Sequence, residues 1–294
     1  MTHQTITTMP DLATTTDVLP DLHLGQEEPD TPYRVEATRD YLEELTAMLE
    51  SPTGQDTSSL DFDIPADFRL TIVVPVYNEA RTIGQVIDRV NAIPVAKEVI
   101  VVDDGSTDGT AKILTQCEAA GKAHVVTKPR NEGKGAALRT AFRRATGDVV
   151  VVQDADLEYD PRDILGLLQP IIEGTADVVY GSRFLENEYQ DRSWVHRTGN
   201  RLLTWASNVT TGLQLSDMET CYKAFRREVL HSFEIQQNRF GFEPEVTAKI
   251  ARRKYRICER PIRYAARTYA EGKKIGIRDL FNALYCIARY GRRD

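Results

Sequence analysis

The chain has no long hydrophobic run: no window approaches the ~18 consecutive apolar residues that a membrane-spanning helix needs. Its four cysteines form no CxxC pair, which disfavours the usual zinc and redox spacings. The first residues show no basic stretch followed by an apolar one, so no secretory leader is predicted. We therefore expect a cytoplasmic protein with reduced cysteines, in which any membrane association is peripheral, at the inner face of the cell membrane.

Three nucleotide-binding signatures are also missing. There is no GxGxxG, which argues against an ordinary dinucleotide enzyme. Lys134 is followed by Gly135 rather than by Ser or Thr, so "RNEGKGAAL" is not a Walker A loop. No glycine-rich loop precedes the first helix, which disfavours a nucleotidyltransferase.

The charge is unevenly spread along the 294 residues, whose net charge is −7. Residues 1–67 carry 15 acidic and 2 basic side chains, and residues 250–294 carry 13 basic and 4 acidic ones. We predict that residues 1–66 are a mostly disordered acidic extension with a short helix near 34–50, and that 67–294 form one folded domain. The basic end could contact phosphates or an anionic lipid surface, or be a set of solvated helix faces.

Five short, β-branched apolar runs alternate with helical stretches after Leu70. The runs are "LTIVVPVY", "KEVIVVDD", "AHVVTKP", "DVVVVQD" and "ADVVYGSR", and the helices are predicted over 79–91, 108–120, 135–145 and after Pro161. This alternation predicts a mostly parallel sheet covered by helices on both faces. Such sheets bind ligands beyond the carboxyl ends of their strands.

The rest of the chain is less regular. We predict a helix over 194–211, a strand in "METCYKAFR", a helix in "EPEVTAKIARR" and an edge strand in "YRICERPIRYAAR", since its proline cannot donate to a ladder. His196, at the start of the 194–211 helix, could touch an acceptor or lipid, or be an ordinary surface residue. The closing "IRDLFNALYCIARYGRR" is amphipathic and either packs on the domain or lies in a membrane interface. Its predicted apolar face is Leu280, Phe281, Leu284, Ile287 and Ala288.

Acidic residues crowd the end of one buried strand in "VVQDADLEYDP". Asp154 and Asp156, separated by one residue on a turn, can reach one hard cation, and Mg²⁺ or Mn²⁺ prefers such oxygen ligands. A helix cap would explain Asp160, which precedes a proline, but a cap uses a single carboxylate. The spacing therefore favours a metal site.

Two further loops follow neighbouring strands. In "VDDGSTDGT", Asp103 or Asp104 can accept hydrogen bonds from a base or a ribose, unless the loop is only an Asx turn that ends in the cap Asp108. In "RNEGKGAAL", backbone amides and Lys134 at a helix start suit a phosphate.

Together these motifs resemble glycosyltransferase family 2, in particular its branch related to dolichyl-phosphate mannose synthase. They are "VVPVYNE", "VVDDGSTDGT", "NEGKGAALRTAF", "QDADLEYDP", "YGSRF", "DMETCYKAFRRE", "RFGFEPEVTAKI" and "RTYAEGKKIG". The resemblance covers about residues 70–290 and leaves out the N-terminal extension. It implies an A-type glycosyltransferase fold, a nucleotide-diphosphate sugar donor such as GDP-mannose or UDP-glucose, and a divalent metal, Mg²⁺ or Mn²⁺.

The resemblance also implies roles for individual residues. Asp154, Asp156 and Glu158 match the metal-binding positions, and Asp154 also faces the donor. Arg183 would hold phosphate charge at the reaction centre, and Arg267 and Lys273 fall where relatives place cations against the acceptor phosphate. The residues expected around the nucleotide sugar are Pro75, Tyr77, Glu79, Asp103, Asp104 and Lys134.

The expected reaction is inverting transfer of a hexose to polyprenyl phosphate, whose oxyanion needs no strong base. A hydroxyl of a soluble or cell-envelope glycan is the alternative acceptor, and it would need a base, for which Asp217 and then Glu219 are the candidates. Asp217 could equally orient a backbone loop or an arginine. A catalytically inactive nucleotide-sugar-binding module is the third alternative. No nucleic-acid partner is expected, a membrane surface is a candidate partner, and a homo-oligomer is compatible with the sequence.

Overall fold

The centre of the domain is a seven-stranded sheet, in a computed structural model that describes residues 62–185, 194–266 and 277–291 (backbone alone for 194–196 and 277–279). Its strands are β1 (Leu70–Val76), β2 (Lys97–Asp103), β3 (His124–Thr127), β4 (Val149–Val152), β5 (Val178–Ser182), β6 (Lys223–Arg226) and β7 (Ile257–Pro261). Their spatial order is β3-β2-β1-β4-β6-β5-β7. Strand β6 runs antiparallel to β4 and β5, and the other pairs are parallel. The predicted mostly parallel sheet is confirmed.

The strands are apolar on both faces because helices cover both faces. All four valines of β4 are buried, and so are the first five residues of β1. A half-exposed strand would instead alternate apolar and polar residues. Strand β7 lies at one edge of the sheet, and Pro261 at its end accords with the edge position that the sequence predicted.

The helices lie close to their predicted positions. They are α1 (Ile83–Asn91), α2 (Thr110–Ala119), α3 (Lys134–Phe142), α4 (Ile164–Ile172), α5 (Trp194–Thr211), α6 (Arg227–His231), α7 (Phe242–Arg252) and α8 (Ile277–Tyr290). A short 3₁₀ turn over Pro161–Asp163 precedes α4, and Asp160 caps it by accepting a hydrogen bond from the Arg162 amide at 2.9 Å. The cap predicted at Asp160 is thus confirmed.

Helix α1 begins four residues later than the sequence predicted. Asn78 has a positive φ of 55°, its amide donates to Ser106 Oγ at 2.9 Å, and the Glu79 amide donates to Thr110 Oγ1 at 3.0 Å. The end of β1 is therefore tied to the loop that follows β2.

Three helices form a layer on one side of β5. The Tyr180 hydroxyl of β5 is 2.9 Å from Thr247 Oγ1 of α7, and α5 and α8 pack on α7 and on each other. A Cβ built on Gly291 would lie 2.5 Å from Thr210, so α5 and α8 end side by side. Helix α7 thus contacts both the sheet and the other two helices.

The apolar face predicted for α8 is wrong in part. Ile287 is buried as expected, but Phe281 is 65% exposed and Ala288 is also exposed. The buried stripe is instead Ala283, Cys286, Ile287 and Tyr290, because Cys286 and Tyr290 pack against Ala248 of α7. The helix both packs on the domain and presents aromatic side chains to solvent.

Two further predictions concern the N-terminal extension and membrane-spanning helices. The extension 1–66 and its helix near 34–50 lie almost wholly outside the described residues, so they stay predictions. Within the described ranges no helix combines the length and the apolar character that crossing a bilayer requires.

Candidate active site

The carboxyl ends of the parallel strands and the start of the reversed strand β6 meet at one edge of the sheet. Since β6 is antiparallel to β4 and β5, the residues that enter it lie beside the residues that leave its neighbours. This edge gathers Tyr77 and Glu79 after β1, Asp104 after β2, Asp154 and Asp156 after β4, Arg183 after β5, and Asp217 and Glu219 before β6. The sequence predicted that the residues after the parallel strands would meet at this edge. The antiparallel direction of β6 adds Asp217 and Glu219, which precede that strand.

The acidic turn after β4 is partly enclosed. Asp156 is 8% exposed and accepts a hydrogen bond from the Glu158 amide at 3.2 Å. Glu158 in turn accepts from the Tyr264 hydroxyl at 2.9 Å. Asp154 lies 3.0 Å from Lys134 Nζ. The turn is held by its own backbone and by contacts to two other segments.

The donor atoms of the acidic turn match the ligands that a hard divalent cation prefers. Among residues 62–185, 194–266 and 277–291, no three carboxylate, imidazole or thiol side chains converge as a ready-made metal site. Asp154 and Asp156 offer carboxylate oxygens, and Mg²⁺ is often bound by one or two carboxylates with phosphate oxygens completing its shell. The two aspartates therefore fit a hard divalent cation that arrives with a diphosphate. A third contact from Glu158 stays a prediction.

Lys134 lies between two carboxylates. Its ammonium is 3.0 Å from Asp154 Oδ1 and 3.2 Å from Glu243 Oε1. Burial alone would lower the pKa of Lys134, but the negative charges of Asp154 and Glu243 outweigh it and hold the pKa well above its ordinary value. Lys134 is therefore a fixed positive charge beside the acidic turn.

The backbone amides at the start of α3 are already occupied. The amides of Glu132 and Gly133 donate to Asp104 Oδ2 at 3.0 and 2.6 Å, and the Ala136 amide donates to the Asn238 carbonyl at 3.1 Å. These three amides are therefore engaged within the chain and do not point to a phosphate. A phosphate contact from Lys134 or from the rest of this loop stays a prediction.

The two aspartates after β2 have structural contacts of their own. Asp104 is 3% exposed, and its other oxygen lies 2.8 Å from Lys128 Nζ. Asp103 is 1% exposed and accepts from the Ser106 amide at 2.9 Å. Both therefore order the loops at this edge, and their contact with a nucleoside stays a prediction.

Glu79, after β1, is close to the acidic turn. Thr82 Oγ1 lies 3.2 Å from Glu79 Oε2 and donates to the Ala155 carbonyl at 2.9 Å. Thr82 thus links the "PVYNE" segment to the turn that carries Asp154. Pro75 and Tyr77 lie in the same segment, and the nucleoside contacts of all three residues stay predictions.

Arg183 and Asp217 form a buried ion pair. Asp217 is 0% exposed, and its oxygens accept from Arg183 Nε at 2.7 Å and Nη2 at 2.8 Å and from the Arg183 amide at 3.1 Å. Both oxygens of this carboxylate are thus occupied by donors of Arg183. The geometry therefore favours the positioning role for Asp217 over the base role.

Glu219 is the better candidate for a proton acceptor. Burial and the negative charge of Glu243 raise the pKa of Glu219 to about 8. Its Oε1 atom is enclosed and has no hydrogen-bond partner within the described part of the chain. A carboxyl group in this state can exchange a proton near neutral pH.

Two residues with contacts at this edge were not predicted from the sequence. Glu259 of β7 accepts hydrogen bonds from the amides of Ser216 and Asp217 at 2.9–3.0 Å, so it holds the loop before β6. Glu243 opens helix α7 in "FEPE", where an acidic residue usually serves the helix dipole, and only the structure shows it facing Lys134. Arg267 and Lys273 lie outside the described residues, as does the side chain of His196.

Comparison with known proteins identifies the family. The model of glycosyl transferase family 2 matches residues 71–233. The undecaprenyl-phosphate 4-deoxy-4-formamido-L-arabinose transferase of Aeromonas hydrophila subsp. hydrophila is 32% identical over 222 residues, which are 74% of this chain and 65% of that protein. The chain thus spans slightly less than two thirds of the length of this curated relative.

Solved structures agree on the fold. Glucosyl-3-phosphoglycerate synthase from Mycobacterium tuberculosis is 26% identical, with a TM-score of 0.58 over 78% of this chain and 83% of that one. The same enzyme in complex with Mn²⁺, UDP-glucose and phosphoglyceric acid is 25% identical, with a TM-score of 0.59 over 78% and 82% of the two chains. The helix-flanked, mostly parallel sheet is the A-type glycosyltransferase fold that the sequence predicted, and the chain belongs to glycosyltransferase family 2.

Proposed function

We propose that the chain is an inverting, metal-dependent transferase that moves a hexose, mannose or glucose, from a nucleotide-diphosphate sugar to polyprenyl phosphate. The observation that carries the proposal is the arrangement of two carboxylates and two cations at one edge of the sheet. Asp154 and Asp156 form the acidic turn after β4, Lys134 lies 3.0 Å from Asp154, and Arg183 follows β5, which is separated from β4 by β6.

The leaving group accounts for this arrangement of charge. When the bond between the anomeric carbon and the diphosphate oxygen breaks, negative charge collects on that oxygen. A divalent cation held by Asp154 and Asp156, Mg²⁺ or Mn²⁺, would supply electrostatic stabilisation of that charge. Lys134 and Arg183 add fixed positive charge at the same edge, and Asp217 keeps the Arg183 guanidinium in one orientation.

Two observations support polyprenyl phosphate as the acceptor. The curated relative named above is an undecaprenyl-phosphate 4-deoxy-4-formamido-L-arabinose transferase, so its name includes a polyprenyl phosphate. A phosphate monoester is already an oxyanion near neutral pH, so attack on the anomeric carbon needs no strong base, which suits a site whose Asp217 is locked in an ion pair. Attack from the face opposite the leaving group inverts the anomeric configuration. Arg267 and Lys273 are the proposed partners of the acceptor phosphate.

The donor is a nucleotide-diphosphate sugar, with GDP-mannose and UDP-glucose as the two candidates. The M. tuberculosis synthase has been solved with UDP-glucose, which supports a nucleotide sugar at this edge of the fold. The proposed nucleoside pocket lies at the carboxyl ends of β1 and β2, the two strands between β4 and β3. Its residues are Pro75, Tyr77, Glu79, Asp103 and Asp104. The reaction would take place at the inner face of the cell membrane and serve assembly of the cell envelope.

A hydroxyl acceptor is the second candidate, and one observation favours it. Glu219 has an enclosed oxygen without a partner in the described ranges and a pKa raised to about 8 by burial and by Glu243. A glycan hydroxyl needs such a group to take its proton. Under this alternative the donor chemistry is unchanged, and Glu219 is the general base.

Incubation of the purified full chain with Mg²⁺ or Mn²⁺ and each donor separates these candidates. The acceptors are a short-chain polyprenyl phosphate and a panel of soluble glycans, with products identified by mass. We expect one glycolipid from one donor, with inverted configuration by NMR. Transfer to glycans but never to lipid phosphate would favour the second candidate. Nucleotide-sugar binding without any transfer would indicate an inactive binding module.

A further inference from the structure

Helices α5 and α8 expose large apolar side chains on their outer faces. The exposed fractions are 48% for Leu202, 64% for Trp205 and 65% for Val209 on α5, and 65% for Phe281 and 55% for Tyr285 on α8. We call these five side chains, with the exposed arginines between them, the helix-pair surface. Single exposed apolar residues are ordinary, but a group of them on adjacent helices indicates an interaction site.

The two apolar stripes point away from the body of the domain. Leu202, Trp205 and Val209 recur at intervals of three and four residues, so they share one face of α5, opposite the buried Leu203 and Ser207. Phe281 and Tyr285 are four residues apart on α8, opposite the stripe that packs on α7. Because α7 lies beneath both helices, both stripes face outward.

Among residues 197–211 and 280–291, the charged side chains of α5 and α8 are all basic. Helix α5, "WVHRTGNRLLTWASNVTT", contains no acidic residue, and its Arg197 and Arg201 are exposed. On α8, the exposed Arg289 donates to the Tyr285 hydroxyl at 2.9 Å. Apolar side chains surrounded by arginines are typical of surfaces that enter the headgroup region of an anionic bilayer.

We propose that the helix-pair surface docks this protein onto an anionic lipid bilayer. A second copy of the chain is the less suitable occupant, since a self-contact would bring Arg197, Arg201 and Arg289 against one another. Trp and Tyr are enriched at membrane–water interfaces, where the apolar part of the ring is buried and the polar group contacts water. The inference rests on the proposed lipid acceptor and adds to it the surface by which the enzyme reaches that lipid.

The inner face of α5 connects this surface to the active site. Thr204, which precedes Trp205, accepts a hydrogen bond from the Met218 amide at 3.1 Å. The Asn208 side chain donates to the Leu215 carbonyl at 2.8 Å and accepts from the Leu215 amide at 3.0 Å. Asp217, which holds Arg183, lies in the same loop, so docking through α5 places the reaction centre next to the lipid.

Vesicle sedimentation of the full chain tests the proposal. The wild type should sediment with phosphatidylcholine vesicles that contain phosphatidylglycerol, and rising salt should weaken the binding. A Trp205→Ser/Phe281→Ser variant should bind at least about tenfold more weakly, since two aromatic side chains no longer enter the bilayer. An Arg201→Gln/Arg289→Gln variant should lose most of the preference for phosphatidylglycerol.

The matched controls are Phe240→Ser, another exposed phenylalanine, and Arg143→Gln, an exposed arginine, both outside the helix-pair surface. Both should bind vesicles like the wild type, and thermal unfolding should be unchanged in all variants. Equal loss of binding in the controls, or no binding by the wild type, would overturn the proposal. So would a wild-type dimer that Trp205→Ser dissociates and that ignores vesicles, because a second copy would then be the occupant.

Activity separates this inference from the proposed function. With a water-soluble short-chain polyprenyl phosphate, Trp205→Ser/Phe281→Ser should turn over like the wild type. With a long-chain acceptor in vesicles, its rate should fall at least about tenfold. Vesicle binding without transfer to any polyprenyl phosphate would refute the proposed acceptor and leave the surface. Transfer to the short-chain acceptor without vesicle binding would refute the surface alone.

Discussion

Arg183 and Asp217 are joined by three hydrogen bonds, from the Arg183 amide, Nε and Nη2 to the two oxygens of the carboxylate. Arg256 and Asp177 repeat the same three contacts, at 2.9, 3.1 and 2.7 Å, on the surface of the domain. The two pairs differ in burial: Asp217 is 0% exposed, whereas the Arg256 side chain is 54% exposed. The chain thus contains a buried ion pair and its exposed counterpart.

Replacing Asp217 by Asn should remove both stability and turnover. Breaking a buried ion pair by removing one partner typically costs about 3–5 kcal/mol, because a charge stays buried without its counterpart. Chemical denaturation should show a loss of that order, and kcat should fall at least about 100-fold since Arg183 loses its orientation. Asp177→Asn is the control, and it should leave turnover unchanged with a much smaller loss of stability. Similar losses in the two variants would contradict the positioning role.

Replacing Asp156 by Asn should abolish metal-dependent turnover and leave the fold intact. An asparagine can still accept from the Glu158 amide, so the turn is kept while one negative charge is lost. We expect kcat to fall at least about 100-fold and Mn²⁺ affinity, measured by electron paramagnetic resonance with the nucleoside diphosphate present, to fall with it. Asp160→Asn, which keeps the cap in the same segment, should behave like the wild type. Unchanged Mn²⁺ affinity in Asp156→Asn would remove Asp156 from the metal site.

The raised pKa of Glu219 predicts how stability depends on pH. Burial and Glu243 raise the pKa of Glu219 from 4.5 to about 8, so between these values the folded state holds a proton that the unfolded state has released. The contribution of Glu219 to the free energy of unfolding therefore becomes less favourable as pH rises through that window. Glu219→Gln should become more stable relative to the wild type from about pH 5 to pH 8. Glu228→Gln, at a side chain 72% exposed, should show no such trend.

The same ionisation separates the two acceptors. If a glycan hydroxyl is the acceptor, its rate of transfer should rise with pH through about 8 and fall strongly in Glu219→Gln, because the base must be ionised. Transfer to polyprenyl phosphate needs no such base and should lack that rise. A pH–rate profile of the wild type and of Glu219→Gln with each acceptor makes the comparison.

Two glycines should respond oppositely to substitution by alanine. A Cβ on Gly135 would lie 2.2 Å from the Gln237 carbonyl, so Gly135→Ala must move the start of α3 and should cost about 1–3 kcal/mol. A Cβ on Gly166, in helix α4, meets nothing within 4 Å, so Gly166→Ala should stabilise the protein by about 0.5–1 kcal/mol. Thermal unfolding of both variants measures the difference. If Gly135→Ala were as stable as the wild type, the segment 237–239 would not restrict the space beside Gly135.

The sheet could be predicted because its signal is local. Runs such as Val149–Val152 are apolar at every position, and only a strand buried on both faces uses such a run. The packing contact of the glycines around Lys134 could not be predicted, because its signal is not local. Their small size makes room for the chain at 237–239, about a hundred residues away, and no local pattern reveals that contact.

In the candidate site, too, local features could be predicted from the sequence and long-range contacts could not. Asp154 and Asp156 could be predicted because both follow one strand, whereas the link from Lys134 to Glu243 joins α3 to α7 across the fold. The role of Asp217 remained open in the sequence because a carboxylate that binds an arginine and one that takes a proton look alike there. Its distances to Arg183 favour the first of these roles.

The ammonium of Lys134 is attached to the polypeptide, so the acidic turn has a counter-ion from the moment the chain folds. The ligands of a structural zinc site become ordered only when the metal binds. The charge of Asp154, in contrast, is balanced by Lys134 within the folded chain itself. We therefore expect the domain to reach its folded state in a medium depleted of divalent cations.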